Sequence, residues 1–555
     1  MESTQNSRKN KIFFVILLIG VIAVNIKRIF TDFEIDAEYA IAMAYRMAKG
    51  DRMFLQMWEP HQTSAYFSAF FIRIYMALFR TTTGIVVYLN TVGVLCKAAV
   101  TCVLYKTLKS RVSLNALKCA CLFFLAVNPK DISLPEFSNM QLWFSVLLFS
   151  ALLVYFRDQG KKLWLVLSAA FLCLEVTAYP SCIIVYVAVI VVIFLYSKQK
   201  WKDVLWMTIP CVIFGCGYIS LFAVPSGLHM FFKRIARILS GDASHGLSLV
   251  DKLGGYGVEL IHLCLWVLAF ACVSILLCLL CRQKTREKMV SVFLGLVFIA
   301  GAVSVLLLAE DYPYLYVYVV IWVLGFAVHR TCQETTKRIF VMGISISLSG
   351  VLATLCLTNL SLYSVLGYGI LGVVVSLICL GEFVEKEKRH LLRCLIPVFL
   401  ILTVFREGYI TKPMNPEPTS ILDIRGIVKS GPAIGMMSTY MGPYMVNTSM
   451  KEWQQYIEPG DSLLLVGREF VHTLGYLYED TKTAVPSTIC TPTYSESLLE
   501  YWQENPDKYP TVIAVDCWYG DLRVDKDSWI MQWIEETWQP DEIIDGAYWR
   551  YYIKR

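Results

Sequence analysis

Residues 32 to 61, DFEIDAEYAIAMAYRMAKGDRMFLQMWEPH, concentrate carboxylates and aromatic rings directly after the first apolar run of the chain. An ionised group near hydrocarbon loses solvation. Acids held there therefore serve proton transfer, metal or substrate binding, or a solvated helix start. Asp36 falls in the first turn of a helix-like stretch, 36 to 50. Free backbone amides and the helix dipole favour its ionised form there, which suits an N-cap and a poised base equally. Glu38, Glu59 and His61 are the other candidate polar groups of the segment, while Asp32 and Glu34 read as a solvated lead-in. A basic group follows later, Lys233, Arg234 and Arg237 in HMFFKRIARIL, with Lys233 or Arg234 beside Arg237 on one helix face.

The elements that must position these groups are apolar. The chain is 56% hydrophobic and 14% aromatic with 17% charged residues, which marks an integral membrane protein. Runs near the roughly 20 residues that cross a bilayer number about thirteen. They fall near 12–30, 84–105, 113–128, 138–156, 162–179, 181–197, 203–224, 257–281, 289–308, 314–329, 338–358, 361–381 and 391–407. Basic clusters, from Arg8/Lys9/Lys11 through Lys106/Lys109/Arg111, Arg157/Lys161/Lys162 and Lys198/Lys200/Lys202 to Lys386/Lys388/Arg389, share one side if the spans alternate from a cytoplasmic N-terminus. The first run reads as an uncleaved anchor. The expectation is a multi-pass protein of the plasma membrane whose segment after about residue 408 is extracytoplasmic. In that frame residues 31 to 83 form a long first external loop, whose helical stretches 36–50 and 63–80 should lie along the bilayer interface. Lys233, Arg234 and Arg237 then sit outside, against the basic-inside trend; attraction to anionic headgroups is the plainer account. Lys97 and Glu175 are intramembrane charges that either function or pair structurally.

From residue 409 the pattern changes to short strands and amphipathic helices, a soluble α/β domain bounded by Pro413, Pro416 and Pro418. Strands are predicted at 462–467, 483–487 and 511–516, and helices at 495–505 and 526–538. This segment carries 12 Lys+Arg against 21 Asp+Glu, whereas residues 1–408 are basic. Basic inner loops are what membrane topology requires, so nucleic acid is not an implied partner. Sixteen of the eighteen cysteines precede residue 408 without ligand spacing and read as packing residues. Cys490 and Cys517 are the pair that an oxidising exterior would allow to bridge.

Asp36, Ala37, Glu38 and Tyr39, then Arg46 and Gly50, then Trp58, Glu59, Pro60 and His61 together resemble the first external loop of GT-C membrane glycosyltransferases. The nearest group is the dolichyl-phosphate-mannose protein mannosyltransferase and aminoarabinose transferase superfamily. The resemblance implies an α-helical polytopic fold of about thirteen spans with an extracytoplasmic C-terminal α/β domain. It implies an inverting transfer of a sugar from a polyprenyl-phosphate donor to a protein, lipid or glycan acceptor. Asp36 takes the place of the catalytic base. The family's Asp-Glu dipeptide is Asp36-Ala37 here, with Glu38 displaced by one position. Glu59 and His61 match the acceptor-binding turn. Glu136, in the loop KDISLPEFSNMQLW, matches a second acid, with Asn139 the competing alignment. Several members hold a divalent ion with such acids, so Mg²⁺ or Mn²⁺ on Asp36 and Glu136 is an expected cofactor. Lys233, Arg234 and Arg237 would bind the lipid phosphate, where charge develops on the leaving group. The rival functions are a transporter or flippase of lipid-linked sugars, which the lack of an internal repeat disfavours, and a polysaccharide polymerase or ligase.

Overall fold

The computed structural model describes residues 2–130, 132–157, 161–241, 249–280, 286–307, 312–357, 362, 365, 367–387, 390–412, 414, 418–467, 472–478, 480–488 and 497–555. Helices run in the order α1 (Glu2–Thr31), α2 (Ile35–Lys49), α3 (Ala65–Phe79), α4 (Ile85–Leu108), α5 (Leu114–Ala126), α6 (Phe137–Arg157), α7 (Leu163–Ala178) and α8 (Ile183–Tyr196). They continue as α9 (Lys200–Ser226), α10 (Leu228–Gly241), α11 (Leu249–Leu280), α12 (Arg286–Leu306), α13 (Tyr312–Val328), α14 (Glu334–Leu357), α15 (Ile370–Glu387) and α16 (His390–Tyr409). Over its described residues each apolar run of the sequence coincides with one of these helices, the run 361–381 being helical from Ile370 after a 3-10 turn, Gly367–Gly369. Among the described residues, 6 are long and apolar enough to cross a membrane. Their side chains face outward where lipid would meet them: Ile16, Ile213, Ile261 and Leu280 are all exposed. The chain is a membrane protein. The long run 162–197 is two helices because Tyr179 is extended and Pro180 opens a separate 3-10 turn before α8.

The helical stretches after α1 form as predicted, but α2 leaves no apolar face open to lipid. Residues Ala37 to Met47 are buried all round, between α3 and a 3-10 segment, His472–Leu477, from the C-terminal part of the chain. Its C-terminus is closed by Gly50 at φ 114°, whose N–H donates to Met47 and Arg46 carbonyls, a conformation that glycine adopts without a Cβ penalty. α3 keeps the exposed apolar stripe instead, with Tyr66, Phe70, Ile74 and Leu78 recurring every fourth residue. Asp32 also departs from expectation. It is buried, accepts from Ser133 Oγ at 3.0 Å and lies 3.5 Å from Arg28 Nε, so it ties the end of α1 to the loop ahead of α6. The same loop crosses α4 at Gly93, where a Cβ would stand 1.7 Å from the Ser133 carbonyl oxygen.

The described strands all follow α16. The main sheet is built from Lys482–Thr483, Ser462–Val466, Val512–Trp518, Trp549–Ile553 and Glu542–Asp545, in that spatial order. The first three pair in parallel and the last two antiparallel, giving a mixed α/β layer. Helices α17 (Met441–Tyr456), α18 (Ser497–Glu504) and α19 (Trp529–Gln532) accompany it, and α19 continues as a π-helical turn, Trp533–Trp538. The central strands are buried on both faces, which explains their continuous runs Leu463–Val466 and Val512–Val515. Cys490 lies outside the described residues. Cys517 is buried, its thiol 3.8 Å from the Gly546 carbonyl oxygen.

Candidate active site

Two segments brought together by α2 and α6 carry the most concentrated chemistry. Asp36, in the first turn of α2, forms an ion pair with Lys130 of the loop before α6. Both side chains keep partial access to solvent, 22% and 21%. Burial pulls the Lys130 ammonium down, but Asp36, Tyr368, Glu34 and Glu136 outweigh it and hold the group well above its ordinary value. Glu136 is 1% exposed, and its two oxygens accept from the backbone N–H groups of Ser138 at 2.7 Å and Asn139 at 2.6 Å. It therefore caps α6, satisfying amides that the helix leaves open. Burial pushes its carboxyl up to about 7, against the opposing pull of Lys130 and those two amides. Asn139 bonds the Ile132 and Leu134 carbonyls, each at 3.0 Å, and so shapes the loop rather than facing the site.

An aromatic wall stands beside these charges. His61 stacks on Phe137 with ring centres 4.1 Å apart and lies 5.3 Å from Tyr179. Lys130 Nζ sits 4.8 Å from the Phe137 ring centre, a cation–π contact. Tyr368 closes the group through a 3.0 Å hydrogen bond between its hydroxyl and Ser138 Oγ. Asp36, Glu136 and His61 are thus brought together, joined by Lys130, Tyr179 and Tyr368, which sequence reasoning missed. Lys130 carried a readable signal. It is a cation in a loop that the basic-cluster pattern is expected to place outside, the same anomaly that singled out Lys233.

The other expected residues lie elsewhere. Glu38 is buried on another side of α2 and accepts from Thr473 Oγ1 at 2.7 Å. Glu59 is fully buried, accepting from Arg46 at 3.1 Å, Thr488 N at 3.2 Å and Thr488 Oγ1 at 3.4 Å. Burial raises its carboxyl, and Arg46 opposes that rise. Arg46 also bonds Asp51 at 2.9 Å, the Gln56 carbonyl at 2.7 Å and the Pro486 carbonyl at 3.2 Å, while Lys508 meets Asp51 at 2.6 Å. This cluster fastens the segment after α1 to the C-terminal sheet region. Lys233 pairs with Glu500 at 3.2 Å, and Arg234 pairs with Glu504 while lying over the Trp58 ring at 4.3 Å. Their partners are α18 and Trp58, and the Arg237 side chain lies outside the described residues. Lys97 bonds the Val127 carbonyl and Asn128, and Glu175 accepts from Ser145 Oγ at 2.6 Å.

The donor set does not fit a divalent ion on Asp36 and Glu136. Asp36 already meets an ammonium, both oxygens of Glu136 are taken by α6 amides, and the described residues contain no group of three or more His, Cys, Asp or Glu side chains suited to a metal.

No family model and no curated protein matches the sequence. Solved structures that resemble it include the Archaeoglobus fulgidus oligosaccharyltransferase tethered to an acceptor peptide containing the NVT sequon, at TM-score 0.46 and 11% identity over 91% of this chain and 69% of that one. The archaeal oligosaccharyltransferase AglB from the same organism, with an inhibitory peptide and a dolichol-phosphate, gives 0.43 and 11% over 92% and 70%. The Archaeoglobus enzyme with Zn and sulfate gives 0.45 and 11% over 90% and 67%. TM-scores of this size at such identity establish neither a shared family nor a residue correspondence.

Proposed function

We propose that the chain is a membrane glycosyltransferase that moves a sugar from a polyprenyl-phosphate carrier to an acceptor hydroxyl or amide, with Asp36 as the base. The observation that carries this reading is the Asp36–Lys130 pair, a partly open carboxylate at a helix start, flanked by buried Glu136 and by the His61, Phe137 and Tyr179 rings. A carboxylate that accepts a proton must reach its donor, and Asp36 has that access while Glu38, Glu59 and Glu136 do not. In the step, the acceptor X–H gives its proton to Asp36 as X attacks the anomeric carbon. The bond from that carbon to the phosphate oxygen breaks on the opposite face, and the lipid phosphate leaves with the electron pair. Lys130 pairs with Asp36 and fixes its carboxylate until the acceptor arrives, and the aromatic wall supplies an apolar face for the sugar.

In this reading Glu136 is a positioning residue that fixes the start of α6 and the loop bearing Lys130. Lys233 and Arg234 serve the lipid phosphate only when their pairs with Glu500 and Glu504 open. We place the reaction on the extracytoplasmic face of the plasma membrane, following the basic clusters.

The test is release of polyprenyl phosphate from a labelled polyprenyl-phosphate sugar by the purified full chain. Asp36→Asn should lower release by roughly 10²–10⁴-fold with the fold intact. Undiminished release in that variant removes Asp36 as base. No release by the unaltered chain, together with counterflow of the lipid-linked sugar in vesicles, identifies a transporter instead.

A further inference from the structure

The end of α6 remote from Asp36 opens on a second site. α6 follows directly on Glu136, carries Ser138 at its start and ends at Tyr155 to Arg157, so its 21 residues separate the two regions by about 30 Å. At that far end lies a cavity of about 1040 Å³, lined by the α4–α5 and α8–α9 connections, the end of α6 with Lys162, and the beginning of α14. Among the described residues five cations line it, Arg111, Arg157, Lys162, Lys198 and Arg338, against two carboxylates, Asp203 and Glu334.

The floor is built. Asp203 is buried and accepts from Lys162, Tyr155 and Ser197, which ties the end of α6, Lys162 and the α8–α9 connection to one carboxylate. Arg111 donates to the Leu153 carbonyl at 2.9 Å, which holds its guanidinium in the wall. Arg338 lies against the Tyr196 ring and meets Glu334 at 3.3 Å. Arg157 and Lys198 are exposed at the rim. Basic loops at membrane surfaces are ordinary, and they repel one another when free to do so. Here a hydrogen-bonded framework gathers them round a hollow in which cations outnumber carboxylates among the described residues, and such a concave surface concentrates anions.

We propose that this cavity binds a phosphate-bearing ligand, by contact of its anionic oxygens with Arg111, Arg157, Lys198 and Arg338. Guanidinium groups suit the planar pairing of phosphate oxygens, and the tyrosines flank the ligand. The same chemistry is offered by a phospholipid headgroup or by a phosphorylated solute.

The experiment uses the full chain in detergent with two probes. Native mass spectrometry follows retention of dioleoyl phosphatidylglycerol against dioleoyl phosphatidylcholine, and calorimetric titration follows inorganic pyrophosphate. The Arg157→Gln/Lys198→Gln double variant removes two exposed charges and leaves the Asp203 framework in place. At roughly a factor of five for each cation, it should weaken the favoured probe about thirtyfold. Asp36→Asn should leave that binding unchanged, which keeps this outcome separate from the fate of the proposed transferase. Selective phosphatidylglycerol retention lost in the double variant assigns a lipid headgroup; pyrophosphate binding lost there assigns a soluble phosphate. Binding of neither probe, or binding that the double variant leaves intact, overturns the proposal.

Discussion

Replacing Glu59 separates an acceptor-binding role from a fastening one. Its carboxylate is fully buried, 3.1 Å from Arg46 and within 3.4 Å of both donors of Thr488. Glu59→Ala strips a buried guanidinium of one of its carboxylates, a loss of about 3–5 kcal/mol, and leaves the Thr488 amide without its acceptor at about 1 kcal/mol more. Asp51 still faces Arg46 at 2.9 Å but is shared with Lys508, so it compensates only in part. Glu59→Gln keeps an oxygen for those donors and should cost about 2 kcal/mol. The assay is denaturant unfolding of the detergent-solubilised chain by tryptophan fluorescence, run beside polyprenyl phosphate release per folded molecule. Fastening predicts that Glu59→Gln lowers the unfolding midpoint and leaves most of the turnover. A normal midpoint with turnover lost at least a hundredfold would refute the reasoning and return Glu59 to the acceptor site.

Glu136 predicts a pH signature. Its carboxyl is about 7 in the folded chain against an ordinary 4.5, so the native state holds the proton more tightly than the unfolded state. Its contribution is full below pH 4.5 and falls by about 3 kcal/mol as pH rises through 7. Glu136→Gln should flatten that slope and raise the unfolding midpoint at pH 8; a slope that survives the substitution assigns it to another group. Gly93→Ala forces a methyl against the Ser133 carbonyl, so the loop bearing Lys130 and Glu136 must move. Turnover per folded molecule should fall at least tenfold, in line with the sensitivity of reactions to misplacement of about 1 Å, and the forced overpacking should lower stability by about 1–3 kcal/mol. Equal turnover would show that the loop yields without disturbing Asp36.

The membrane-spanning helices were readable because apolar length is a local property, and Pro180 marked the one break inside a continuous run. The C-terminal hairpin Glu542–Asp545 to Trp549–Ile553 was missed although Asp545-Gly546 separates two strand-prone runs, a pattern of hairpin turns. α2 was placed on the membrane surface because its sequence is amphipathic. Its polar face is covered by Thr473 and its neighbours, partners over 400 positions away that no local period announces. The candidate site was legible at Asp36, whose helix start is local, and at Glu136 and His61, which the family pattern pointed to. Glu38 and Glu59 carry the same side chain as a catalytic acid, and only their tertiary neighbours, Thr473 and Arg46, reveal that both carboxylates are enclosed.

The burial of α2 has a consequence for biosynthesis. Glu38 and Thr473 are 435 positions apart, and ribosomes add roughly 5–20 residues each second, so α2 waits about 20–90 s for the segment that covers it. During that interval Arg46 and Glu59 lack Pro486, Thr488 and Tyr501. The helix made directly after α1 is thus among the last to be completed. Ribosome stalling within residues 410–470 should expose α2 to protease, a vulnerability that vanishes once the segment through Lys508 has emerged.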